Sequence, residues 1–189
     1  MIDYITQIDF AVLDFIQANL RAPWLDSVMV LLSTIGEGGI IWFLFAIPML
    51  FFKKSRTCGV VMILSMGVVL LLGEFGLKNL IGRVRPCNVN AEIEMLVRRP
   101  TSFSFPSGHT SSSFAAATSV FLWNKKLGIP LLVLAFLVAF SRLYNYVHFP
   151  TDVLAGMLFG ITVSVLVYHL FRRYKLDNKI ENLKFSRRG

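Results

Sequence analysis

The sequence predicts an all-α integral membrane protein. It reads as a helical bundle of five transmembrane helices, six if residues 24–35 also cross, with an N-terminal interfacial helix. Three observations predict this. The 189 residues are 55% hydrophobic and only 16% charged, with 17 Phe and a mean hydropathy of +0.64, too apolar for an ordinary soluble domain. Five runs, residues 38–52, 57–73, 110–124, 127–141 and 153–171, contain no Lys, Arg, Asp or Glu. The basic residues gather between these runs and after the last of them.

From the N-terminus, Ile5, Ile8, Val12, Phe15 and Ile16 recur at helical spacing with Asp and Gln between them, the pattern of a helix lying in the membrane interface. Asp3, Asp9 and Asp14 stand where a cleavable signal peptide would carry a basic segment, so insertion is expected to depend on the chain's own helices. Residues 24–35 are apolar apart from Asp26 but too short to span. They form a half-inserted helix or the start of the first crossing, broken at Gly36-Glu37-Gly38-Gly39. Residues 1–36 are accordingly taken as an N-terminal interfacial and half-inserted region, 37–172 as the transmembrane domain, and 173–189 as a basic tail. The only long polar stretch, 79–105, reads as a loop outside the membrane with a short helix at most. The first, third and fourth runs hold 15 uncharged residues each. A crossing needs roughly 20 residues, so these helices must extend into polar residues at their ends.

Charge distribution orients the bundle. Lys53, Lys54 and Arg56, then Lys125 and Lys126, then Arg172, Arg173, Lys175, Lys179, Lys184, Arg187 and Arg188 fall on one side of a five-span protein. An excess of Lys and Arg marks the cytoplasmic side. The C-terminus is therefore expected in the cytoplasm and loop 79–105 outside it, in a multi-pass protein of the cell membrane. The net charge of +8 is thus accounted for by topology, and the expected partner is the lipid bilayer, not nucleic acid. Cys58 and Cys87 have neither metal-ligand spacing nor a pairing pattern.

The same topology gathers polar residues at the span ends. Pro106-Ser107-Gly108-His109 opens the third span, and free N–H groups at a helix start bind phosphate; alone, the segment also fits an ordinary turn before a helix. Lys78 ends the second span, four residues after Glu74, and either pairs with it or snorkels to the interface. Arg142 ends the fourth span, and His148 and Asp152 open the fifth. Lys78, Arg85, Ser107, His109, Arg142, His148 and Asp152 thus share the face opposite the basic loops. Ionisable residues collected at one membrane depth are costly unless they serve a site. Three cations and a helix N-terminus suit a phosphoryl group. His148 and Asp152 are four residues apart, so the carboxylate can accept from one ring nitrogen and leave the other to attack phosphorus; His109 remains for the leaving group. Arg83 reads equally well as a phosphate contact or a solvated charge. Arg98 and Arg99 read as loop charges before headgroup ligands, and His169 as a packing residue.

Lys78-x6-Arg85-Pro86, Pro106-Ser107-Gly108-His109 and Ser141-Arg142-x5-His148-x3-Asp152 together resemble the tripartite signature of the type 2 phosphatidic acid phosphatase family, whose site is similar to that of vanadium haloperoxidases. The resemblance implies a metal-independent, two-step phosphatase without cofactors. In it His148 is the nucleophile, Asp152 orients it, and His109 is the acid and later the base. Lys78, Arg85, Ser107, Gly108 and Arg142 bind the phosphoryl oxygens. It also implies a membrane lipid substrate, with undecaprenyl diphosphate first. The alternatives are a phosphatidylglycerophosphate or phosphatidate phosphatase, a lipid phosphotransferase, or a non-catalytic anionic-lipid binder or transporter.

Overall fold

The computed structural model describes residues 2–181, and every regular element among them is helical. Lys184, Arg187 and Arg188, part of the expected basic tail, lie outside the described residues.

Helix α1 (Ile2–Leu20) is inside-out by the standards of a water-soluble protein. Ile5, Ile8, Val12 and Phe15 are exposed, whereas Asp9, Leu13 and Ile16 are buried. A helix that shows its apolar stripe and hides a carboxylate is suited to lipid. Helix α2 (Pro23–Ile35) starts on a proline, whose missing N–H costs nothing in the first turn. A 3₁₀ turn (Glu37–Gly39) joins it to α3 (Ile40–Phe51). The two helices are bent by 53°. Gly38 and Gly39 have φ of +58° and +73°, a left-handed backbone that side chains resist, and this places the break where the glycines predict it.

Helix α4 (Arg56–Leu70) continues into a π-helical segment (Leu71–Leu77) and then α5 (Lys78–Ile81). Gly82, Arg83 and Val84 lead to Arg85 and the short α6 (Pro86–Val89). No regular helix follows until α7 (Gly108–Trp123). The bundle closes with α8 (Lys125–Tyr144), α9 (Pro150–Arg173) and α10 (Leu176–Glu181).

By length and hydropathy, Arg56–Val89, Lys125–Tyr144 and Pro150–Arg173 are each able to cross a membrane, and the bent pair α2 and α3 makes a fourth if it is one crossing. Helix α7, the remaining expected span, has 16 residues, about 24 Å by helical rise. It runs through the middle of the bundle against α4, α8 and α9, with Ala115, Ala116 and Ala117 fully buried. Small residues let the neighbours approach closely. On α9, a Cβ at Gly156 would stand 2.8 Å from the Ser107 carbonyl oxygen, and one at Gly160 would overlap the Ser111 carbonyl oxygen. Across the bundle the Trp42 indole donates to Ser113 Oγ at 2.9 Å. The outer surface carries Leu44, Phe51, Leu71, Phe75, Phe136, Leu158 and Leu166, a covering for lipid and not for water. The ends of α5 and α8 and the beginnings of α7 and α9 all meet at one end of the bundle, where the polar residues collect.

Candidate active site

A cavity of about 940 Å³ opens there, and Lys78, Arg85, Gly108, His109, Arg142 and His148 all line it. The signature residues from three distant parts of the chain therefore face one space. Two expected members stand just behind its wall. Asp152 is fully buried beneath His148. Ser107 is also buried, its hydroxyl accepting from Thr110 Oγ1 at 2.9 Å, and it serves as the residue before the first turn of α7.

His148 lies in the short connection between α8 and α9, 1% exposed. Its Nε2 is 2.9 Å from Arg85 Nη1. A guanidinium can only donate, so Nε2 carries the lone pair and Nδ1 the proton. Nδ1 is 3.5 Å from Ser104 Oγ and 3.7 Å from Asp152 Oδ2. The direct hydrogen bond expected between His148 and Asp152 is thus stretched beyond hydrogen-bond length, because Ser104 stands beside both groups and donates its own hydroxyl to Oδ2. Burial pulls the imidazole pKa down to about 3, with the Arg85 and Arg142 charges acting in the same direction and Asp152 opposing them. The ring is therefore neutral at physiological pH, the form in which a histidine can attack.

Arg85 is held rigidly: Nε donates to the Ser102 carbonyl at 2.7 Å, Nη2 to Ser102 Oγ at 3.0 Å and Nη1 to the Val147 carbonyl at 2.9 Å. Arg142 differs. It is 6% exposed, its Nη1 donates to Ser33 Oγ, its Nε has no partner, and no carboxylate among the described residues pairs with it. A buried guanidinium with no carboxylate in contact, facing a cavity where the Glu37 charge acts on it only from beyond ion-pair distance, calls for an anion from outside. Lys78 instead has a partner, Glu74 Oε1 at 2.7 Å. That carboxylate also fills the space beside Gly108, where any Cβ would overlap Oε1. Glu74 therefore stands beside the start of α7, next to the anion cradle that the sequence assigns to phosphate.

Arg83 is neither of the two things expected of it. It clamps Asp152 Oδ1 at 2.6 Å and Asp9 Oδ2 at 2.7 Å, with its guanidinium 4.0 Å from the centre of the Phe149 ring. Asp9, Ser33, Ser102 and Ser104 were not among the site residues expected from the sequence. Serines are too common to be noticed, and Asp9 is one of three aspartates that recur along α1 with nothing in the spacing to mark it from Asp3 and Asp14. Arg98 and Arg99 line the outer cavity, with Arg99 tied to the carbonyls of Cys87 and Ala91. His169 packs edge-on to Tyr168, seventeen residues along α9 from Asp152.

Known proteins resemble this chain in sequence and in fold. The PAP2 superfamily model matches residues 57–175. An undecaprenyl-diphosphatase of Sulfolobus acidocaldarius is 35% identical over 146 residues, 75% of this chain and 68% of its own. Phosphatidylglycerophosphatase B of Bacillus subtilis is 35% identical over 161 residues, 78% and 76% of the two chains. The crystal structure of a transmembrane PAP2-type phosphatidylglycerolphosphate phosphatase from Bacillus subtilis superposes with a TM-score of 0.74 at 30% identity, covering 90% of this chain and 87% of that one. With the family match spanning residues 57–175 and relatives of about one third identity covered over most of their length, the chain belongs to the PAP2 superfamily and is a multi-pass membrane lipid phosphatase.

Proposed function

We propose that the protein hydrolyses a phosphate from a lipid phosphate or diphosphate through a phosphohistidine on His148, with the site on the extracytoplasmic face and the C-terminus in the cytoplasm. The observation that carries this reading is Arg142, a buried cation without a carboxylate partner in the cavity that also holds an unprotonated Nε2.

The first step forms a bond from Nε2 of His148 to phosphorus and breaks the bond to the leaving oxygen, which stays on the lipid alcohol for a monophosphate and on the lipid monophosphate for a diphosphate. His109 gives that oxygen its proton. In the second step water attacks the phosphohistidine, His109 takes a proton from the water, and the P–N bond breaks to release phosphate. Asp152 stabilises the positive charge on the His148 ring between the two steps. Arg85, Arg142, Lys78 and the start of α7 hold the equatorial oxygens, where charge accumulates in the transition state. Three cations supply the neutralisation that another phosphatase draws from a divalent ion, so the reaction is expected to be metal-independent.

The lipid class follows from the rest of the cavity. Beyond the polar end it is lined by Val30, Phe43, Ile63, Met66 and Leu70, an apolar trough between α2, α3 and α4 in which a hydrocarbon chain would lie. Undecaprenyl diphosphate is the first choice of substrate, supported by the name of the Sulfolobus relative and by the outward-facing site that the basic loops imply. A panel of long-chain isoprenyl diphosphate, phosphatidylglycerophosphate, phosphatidate and short-chain water-soluble phosphates, tested on purified protein with and without a chelator, examines the assignment. Preference for the isoprenyl diphosphate, an acid-labile phosphoprotein and its loss in His148→Ala are expected. Equal rates on short and long chains, or chelator inhibition reversed by a divalent ion, would refute the corresponding part.

A further inference from the structure

We propose that Asp9 of α1 and Arg83 form a positioning pair that holds Asp152 in place behind His148, making the N-terminal helix part of the catalytic apparatus. The inference rests on the assignment of His148 as nucleophile.

The geometry is a chain of alternating charges. Asp152 Oδ2 is engaged by Ser104 Oγ and by the Phe149 backbone N–H at 2.9 Å. Oδ1 is held by Arg83 Nη1 at 2.6 Å. Without that contact the carboxylate has donors on one oxygen only and is free to turn about its Cβ–Cγ bond. Arg83 is immobilised in turn. Nη1 also reaches Thr151 Oγ1 at 2.7 Å, and Nη2 reaches Asp9 Oδ2 at 2.7 Å. The plane of the guanidinium rests on Phe149, an arrangement a lysine does not reproduce.

Asp9 closes the chain. It is 1% exposed and accepts from the Thr151 N–H at 3.0 Å and Thr151 Oγ1 at 2.6 Å as well as from Arg83. One carboxylate of α1 thus fixes both the arginine and the first turn of α9 on which Asp152 sits. Two further links between α1 and the segment carrying His148 point the same way: Tyr146 donates to Asp14 Oδ1 at 2.8 Å, and Gln17 donates to the Tyr144 carbonyl at 2.9 Å. Electrostatically, Asp9 offsets part of the Arg83 charge, so that Asp152 remains available to the imidazolium that forms when His148 is phosphorylated.

A merely structural ion pair would alter the amount of folded protein and leave turnover per folded molecule unchanged; a positioning pair alters turnover itself. The test uses the full chain in detergent, with kcat and KM measured on a phosphorylated lipid, the rate of phosphoenzyme formation measured by rapid quench, and the folded fraction by thermal unfolding. Asp9→Asn and Arg83→Met are expected to lower kcat and phosphoenzyme formation together by about tenfold to a hundredfold, the range for losing an orienting partner. KM should stay within about twofold, as for interactions made only in the transition state. Arg83→Lys should fall between Arg83→Met and the wild type. In an Asp152→Asn background Arg83→Met should cost little more, because the two act in series. Wild-type kcat in Asp9→Asn and Arg83→Lys, or a full multiplicative loss in the Asp152→Asn background, would overturn the inference. Asp9→Asn is isosteric and carries the test if Arg83→Met fails to fold. His148→Ala keeps the two claims apart. Turnover surviving in His148→Ala refutes the nucleophile assignment, whereas an inactive His148→Ala beside a fully active Asp9→Asn refutes the positioning pair alone.

Discussion

Arg85 donates to Nε2 of His148 at 2.9 Å, so the lone pair assigned to attack phosphorus is capped by the guanidinium. The capping bond also keeps the proton on Nδ1, toward Asp152 and Ser104. A phosphoryl group entering the cavity would exchange this contact for one from Arg85 to its own oxygens, baring the nitrogen as the electrophile arrives.

The His148 imidazole, with a pKa near 3, should remain a nucleophile far below the pH at which free histidine protonates. An NMR titration of labelled His148 should show no protonation near pH 6.5, and a titration there would contradict the site geometry. The sign of the stability effect follows. The folded value lies below the unfolded one, so the unfolded chain binds more protons between the two. Stability contributed by the neutral ring is present above pH 6.5 and declines as pH falls toward 3, by up to about 1.4 kcal/mol per pH unit. Thermal unfolding of His148→Asn should depend less steeply on pH in that window.

Arg142→Met should trade function for stability. Removing a buried cation that lacks a carboxylate partner is expected to raise stability by about 1–3 kcal/mol, while kcat/KM falls by about a hundredfold or more with the loss of a phosphoryl-binding charge. Thermal unfolding and steady-state kinetics on one preparation decide it; a destabilised variant would show that Arg142 has another counter-ion.

Glu74→Gln should tighten the binding of small anions. Its carboxylate lies 2.7 Å from Lys78 and beside Gly108, where it competes with any oxyanion at the start of α7. The inhibition constant for orthovanadate should fall several-fold, on the order of 1 kcal/mol for one released charge-assisted contact. Weaker inhibition would mean that Glu74 serves to hold Lys78 in place.

Gly160→Ala is expected to destabilise the bundle by about 2 kcal/mol, because the added methyl would overlap a backbone carbonyl of α7 that cannot move alone. Gly67→Ala, with nothing within 4 Å of the new atom, should be neutral or slightly stabilising. Unfolding temperatures of the two variants in one detergent provide the comparison.

The helical membrane bundle was legible because apolar runs and the placement of Lys and Arg report directly on the bilayer. Lys78, Arg85, His109, Arg142 and His148 were legible because topology assigns span ends to one face. What escaped was whatever depended on the exact meeting of side chains. The 53° bend puts Ser33 beside Arg142, and the irregular stretch before α7 delivers Ser102 to Arg85 and Ser104 to Asp152; neither path has a periodicity to read. Arg83 misled because its charge suggested either ligand or solvent, while its two carboxylate partners come from positions 9 and 152. Ser107, expected among the phosphate ligands, has its hydroxyl turned into the packing of α7.

The widened turn at Leu71–Leu77 sets the angular phase of everything that follows it. An ordinary α-helix over the same seven residues would turn further and swing Lys78 around the axis by about 100°. The lysine would then turn away from the cavity it now lines, although every side chain along the helix stayed the same.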